Sequence, residues 1–199
     1  MTVRVDPFRL HADEYRAGRS PRVLTMPPAR YLALAGRGEP FGPLFREQAA
    51  AIVRVAGSLR TAIRVERDKD FGIPPLEALR WDGESEAGPG GAGPSSWRLL
   101  LRMPSFVRGR DLAAAAARLE AAPHATEVRL EELREGRCVQ VLHVGPCSSE
   151  EATLDRMRRA AVDQGLAFRG RHHEIYLSDA RRVVPERLRT VLRRPVRAR

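Results

Sequence analysis

Six apolar residues, Phe45, Ala49, Ile52, Ala56, Leu59 and Ile63, step along the chain by 4, 3, 4, 3 and 4 positions. That spacing puts all six on one face of a helix of about five or six turns. Gly57 lies inside this pattern at a cost of about 1 kcal/mol relative to alanine, and is read as a point of close packing or ligand approach. Strand patterns flank the helix. Tyr31 to Ala35 is a short apolar run that ends at Gly36 and Gly38, and Phe71 to Trp81 is a second candidate. From Trp97 to Met103, Trp97, Leu99, Leu101 and Met103 alternate with Arg98, Leu100 and Arg102, as in a half-buried strand. The segment from Gly83 to Ser96, rich in Gly, Pro and Ser, reads as a long hairpin connection.

The order then repeats. An alanine-rich helix from about Arg110 to Ala121 ends at Pro123. Strand patterns follow at Thr126 to Leu133 and Cys138 to Val144, the latter closing on Gly145-Pro146. Ser148 and Glu151 form a capping-box signature for a helix whose inner face is Leu154, Met157 and Ala161. His172 to Leu177 reads as a strand, and Pro185 suits the first turn of a closing helix. The expectation is an α+β fold of duplicated strand-helix-strand-strand units, with pseudo-twofold symmetry and a central ligand groove. Residues 1–21 form a lead-in, and residues 22–199 a single domain with halves at about 22–108 and 124–199.

Composition narrows the function classes. No apolar run approaches the ~20 residues a membrane helix needs, and Met1 to Arg9 lacks a signal-peptide core. A cytoplasmic protein with no membrane partner is expected. The formal net charge is +10, and 34 of the 35 basic residues are arginine. Eight of these arginines fall between Arg181 and Arg199 against Glu186 alone, which reads as a solvated basic tail. The tail lacks interleaved aromatics for base stacking, so nucleic acid is not an expected partner. No nucleophile elbow, P-loop or dinucleotide fingerprint is present. Cys138 and Cys147 read as inert thiols.

The most specific stretch is Arg171-His172-His173-Glu174-Ile175-Tyr176-Leu177-Ser178-Asp179. On a strand, His172, Glu174 and Tyr176 share one face, while His173, Ile175 and Leu177 share the other. A carboxylate beside a phenol in a groove can bind a cation, orient water or supply a proton. Its plainer role is a glutamate hydrogen-bonded to a neighbouring strand. No three metal ligands converge in the pattern, so neither metal nor cofactor is expected. Trp81 and Trp97, at the ends of adjacent strand candidates, either wall a planar pocket or pack in the core.

The segments Phe71 to Trp81, Trp97 to Pro104, Cys138 to Pro146 and Gly170 to Arg182 together resemble the GyrI-like small-molecule-binding family. They are most similar to its stand-alone branch, which includes cyclopropanoid cyclopropyl hydrolases. The resemblance runs from about Leu24 to Val196 and is strongest from His172 to Arg182. It implies a groove in which a glutamate, matched by Glu174, meets aromatic or cationic ligands, and an aromatic cage matched by Trp81, Trp97 and Tyr176. The catalytic residues expected on this basis are Glu174 and Tyr176, and the ligand-binding residues Trp81, Trp97, Phe71, Phe106 and His172. The implied chemistry is hydrolysis of cyclopropane-containing DNA-alkylating natural products, or drug binding without turnover. Three features depart from the family pattern: Ala56 to Thr61 replaces groove-side tyrosines, Arg80 stands where an aromatic is common, and the Gly83 to Ser96 loop is long.

Overall fold

Local sequence preferences set the elements of the computed structural model, which describes residues 4–82, 95–119 and 121–199. In chain order these are β1 (Arg4–Val5), α1 (Pro7–Leu10), α2 (Ala12–Tyr15), β2 (Arg22–Met26), β3 (Ala29–Gly38) and α3 (Pro43–Arg67). Then come β4 (Asp70–Phe71), β5 (Glu77–Asp82), β6 (Ser95–Met103), α4 (Gly109–Ala117), β7 (Arg129–Leu133) and β8 (Gly136–Val144). The chain closes with α5 (Glu151–Val162), β9 (Leu166–Phe168), β10 (His172–Tyr176) and β11 (Arg189–Ala198). The fold is mixed α+β, with antiparallel sheet pairing apart from the short parallel pair of β1 and β4. No helix among the described residues is long and apolar enough to cross a membrane.

Two compact units share these residues and alternate along the chain. The first takes the described residues within 1–12, 29–76 and 94–133, and the second those within 13–28, 77–93 and 134–199. In the first, β3 pairs antiparallel with β6 on one side and β7 on the other. The apolar stripe of α3 packs on β3 and β6, and α4 packs on α3. Five of the six stripe residues are buried and Ala49 is half-buried. Pro43 opens α3, where its missing N–H costs nothing, and Asp68 closes it in the left-handed region at φ 48°. Gly57 is not a point of close packing: a Cβ built there meets nothing within 4 Å.

In the second unit the strands run β2, β8, β11, β10, β5, all antiparallel, with β9 on the far end of β11. The part of the arginine-rich segment from Arg189 to Ala198 is therefore not a tail but a strand hydrogen-bonded on both sides, with Thr190 to Val196 buried. Arg193 and Arg194 are buried with it, and the segment's other six arginines are exposed. The closing helix expected at Pro185 is only a short 3₁₀ turn, Pro185–Arg187, that hands the chain to β11. The described part of the lead-in, from residue 4, also takes part in the fold. Tyr15 is buried at 3% exposure and Leu142 N–H bonds to Gly18 O, while β2 extends the sheet beside β8. The capping box is replaced by a 3₁₀ turn at Cys147–Ser149, after which Glu150 leads into α5 with no side-chain cap. The expected Gly83–Ser96 connection lies outside the described residues up to position 94, and Ser95 and Ser96 begin β6.

Candidate functional site

Strand alternation sorts β10 into two faces, and its neighbours complete each one. The pairing with β5 sets Arg80 opposite His172 and Ala78 opposite Glu174, and the pairing with β11 sets Leu192 opposite Glu174. On this face an apolar cluster of Val139, Val141, Leu192 and Val196 meets Met157 and Ala161 of α5. The helix thus lies over the face. The turn that feeds it carries Cys147 and Glu150 in beside Glu174.

Glu174 has zero exposure, and both of its oxygens are occupied. Arg80 Nη1 donates to Oε1 at 2.7 Å and the Tyr176 hydroxyl donates to Oε2 at 2.8 Å. The same Arg80 nitrogen reaches Cys147 Sγ at 3.4 Å, and that thiol donates to Glu150 Oε2 at 3.6 Å. Cys147 lies at the surface, but its thiol is pushed up to about 11 by burial and by Glu150 and Glu174, so it stays protonated. His172 Nε2 lies 3.7 Å from Glu174 Oε1, and neither ring nitrogen of this buried histidine has a hydrogen-bond partner among the described residues.

The charge balance follows from burial. Desolvation pushes the Glu174 carboxyl up, and it pushes Glu150 up to about 8, with the charge of Glu174 adding to the effect. Two buried carboxylates beside one guanidinium resist double ionisation, so the pair holds one proton at neutral pH. Geometry assigns it. Glu174 accepts from a guanidinium and a phenol, both of which favour its charged form, whereas among the described residues Glu150 accepts only from a weak thiol donor. His172 falls to about 3 through burial and the charges of Arg194 and Arg80, so it is neutral.

The nearest donor atoms of Glu150, His172 and Glu174 lie within 4.8 Å of one another, close enough to surround a metal ion. A cation there would compete with the Arg80 guanidinium at Glu174 Oε1 and with the Tyr176 hydroxyl at Oε2.

The opposite face of β10 is a closed network. His173 bridges Glu135 Oε1 at 3.0 Å and Glu77 Oε2 at 2.9 Å. Tyr15 donates to Glu77 at 2.7 Å, and Arg193 binds both Glu135 and Gln140. Burial alone would lower His173, but its two carboxylates raise it to about 9. This face is structural.

Of the residues expected at the site, Glu174, Tyr176 and His172 come together. Trp81 is half-buried in the same unit, with the Arg171 guanidinium 3.8 Å above its ring. Trp97, Phe71 and Phe106 belong to the first unit. Trp97 is 1% exposed, meets Phe45 edge-on at 5.3 Å and donates its indole N–H to Gln48 Oε1 at 2.8 Å. Phe71 and Phe106 pack edge-to-face at 6.2 Å. Sequence reasoning missed Glu150, Cys147 and the role of Arg80. The arginine within the otherwise apolar Ala78-Leu79-Arg80-Trp81 run was the available signal. Glu150 had none, because helix packing brings it to the site.

This fold is shared with the relatives of the chain. Residues 114–197 match the profile of the GyrI-like small molecule binding domain. A solved structure of an uncharacterized conserved protein from Listeria innocua is 31% identical, with a TM-score of 0.88 over 97% of this chain and 100% of that one. Two solved structures of hydrolases from Listeria innocua are each 29% identical. One has a TM-score of 0.85 over 97% of this chain and 100% of its own. The other has a TM-score of 0.87 over 98% of this chain and 100% of its own. No curated protein matches the chain. The chain belongs to the GyrI-like family and carries its small-molecule-binding domain.

Proposed function

We propose that this protein binds planar, hydrophobic small molecules and hydrolyses a strained cyclopropane in them, as a cyclopropanoid cyclopropyl hydrolase does. The observation that carries the reading is Glu174, a fully buried carboxylate held by Arg80 and Tyr176 beside a neutral His172 whose ring nitrogens have no hydrogen-bond partner among the described residues. The Listeria structures described as hydrolases support it at 29% identity over nearly the whole chain.

In this reading Glu174 orients and deprotonates water. Tyr176, whose hydroxyl is raised well above its ordinary value by burial and by Glu174, keeps its proton and fixes the carboxylate. Trp81 presents an aromatic surface to the guest. Trp97 and Phe71 are buried in the first unit and Phe106 is half-buried there. The strain of the three-membered ring favours opening, so positioning and proton transfer suffice. The alternative is a drug-sequestering or effector-sensing protein that returns its ligand unchanged.

Incubation with a cyclopropane-containing alkylator, followed by mass spectrometry, separates the two readings. Hydrolysis adds one water to the recovered molecule, and Glu174→Gln should slow it ~10²–10⁴-fold. Recovery of unaltered ligand from the wild-type protein favours the sequestering reading.

A further inference from the structure

We propose that Glu150 is the general acid of this site, delivering a proton to the substrate oxygen while Glu174 takes one from water. The proposal rests on the hydrolase reading above and assigns the proton source it leaves open. Glu150 is 6% exposed, and its carboxyl lies within 4.8 Å of the nearest donor atoms of Glu174 and His172. The groups that face it are Glu174, His172 and Tyr176 from β10, Arg80 from β5, and Cys147 from the turn before α5.

Tyr176 is poorly placed for the task. Its hydroxyl hydrogen is committed to Glu174 Oε2, and its release is opposed by burial and by that carboxylate. Glu150 differs from Glu174 in what bonds it. One carboxyl accepts from a guanidinium and a phenol, and the other, among the described residues, only from a thiol. Paired carboxyl groups in unlike surroundings divide into an acid and a base.

The step balances without a further reagent. The water oxygen bonds to a cyclopropane carbon as the ring C–C bond breaks, and that electron pair moves through the conjugated system to the carbonyl oxygen. Glu150 gives its proton to this oxygen, which becomes a phenol, and Glu174 receives a proton from the water. The resulting Glu150 carboxylate and protonated Glu174 are close enough to exchange the proton through one water, which restores the site. One water is consumed and nothing is oxidised.

Infrared titration of the full chain tests the proton assignment without a substrate. A protonated-carboxyl stretch should be present at pH 6, fade near pH 8, and vanish in Glu150→Gln. Its persistence in Glu150→Gln, or its loss only in Glu174→Gln, overturns the proposal. Turnover of the same cyclopropane alkylator tests the role. Glu150→Gln should retain ligand binding, slow hydrolysis at least ~100-fold and lose the alkaline limb of the rate profile, while Glu150→Asp should recover part of both. Wild-type rate and pH profile in Glu150→Gln overturn the assignment and leave the hydrolase reading standing. Unaltered alkylator from the wild type, together with the expected infrared behaviour, removes the hydrolase reading and the catalytic role while keeping the shared proton on Glu150.

Discussion

Two glycines show how differently one residue type is used in the first unit. Gly36, in β3, passes directly under the Trp97 indole. A Cβ there would stand 2.2 Å from Gln48 Oε1 and 2.4 Å from Trp97 Nε1. Gln48 itself is pinned, because its amide also donates to Ala35 O at 2.9 Å. Neither neighbour can yield without breaking a buried hydrogen bond, so Gly36→Ala should destabilise the protein by about 1–3 kcal/mol in chemical denaturation. Gly57 sits mid-helix with open space where a side chain would go. Gly57→Ala should raise stability by about 0.5–1 kcal/mol, through helix propensity and a less flexible unfolded chain. A higher melting temperature checks it, and a lower one would restore a packing role at this position. The sequence marks both glycines as interruptions of regular patterns. It cannot tell them apart, since the close approach to Gly36 comes from Gln48 on the next helix and from Trp97 on a strand distant in the chain.

Among the elements, α3 and β10 were legible because periodicity alone reveals them: one stripe at helical spacing, one alternation at strand spacing. β11 was not. Its arginines read as solvent-facing charge, which holds for Arg189 and Arg197 but not for the buried Arg193 and Arg194. Arg193 is 1% exposed, donating to Gln140 Oε1 at 2.8 Å, to Glu135 Oε2 at 3.0 Å and to Glu14 O at 2.6 Å. Glu135 is 58 residues away in sequence, out of reach of any local pattern. The site divides in the same way. Glu174, His172 and Tyr176 are legible from one strand, whereas Arg80 and Glu150 are placed by register and by helix packing. Arg193→Ala should cost about 3–5 kcal/mol, because Glu135 is left buried with one cation fewer. Exposed Arg197, four positions on in the same strand, should tolerate alanine within about 0.5 kcal/mol. Equal effects of the two substitutions in urea denaturation would contradict the buried-strand account of β11.

At the scale of the whole chain, the buried charges set how stability responds to pH. His173 is raised from 6.5 to about 9 by Glu135 and Glu77 against its own burial. Its contribution is complete below about pH 6.5 and is lost as pH rises through 9. Glu135 is lowered to about 2, since His173 and Arg193 outweigh the burial that would raise it. Its contribution is present above pH 4.5 and is lost as pH falls through 2. Glu150 adds to the alkaline decline. Held near 8, it favours the folded state less and less as pH climbs from 4.5 to 8. The melting temperature should therefore peak between about pH 4.5 and 6.5 and fall on both sides. His173→Gln isolates one of these parts. It should lower stability at pH 6 by on the order of 3 kcal/mol relative to wild type, and the gap should close as pH passes 9. Thermal unfolding of both proteins from pH 5 to 10 measures that gap directly. A difference that stays constant across the range would mean that His173 acts through packing alone, with no proton held between Glu77 and Glu135.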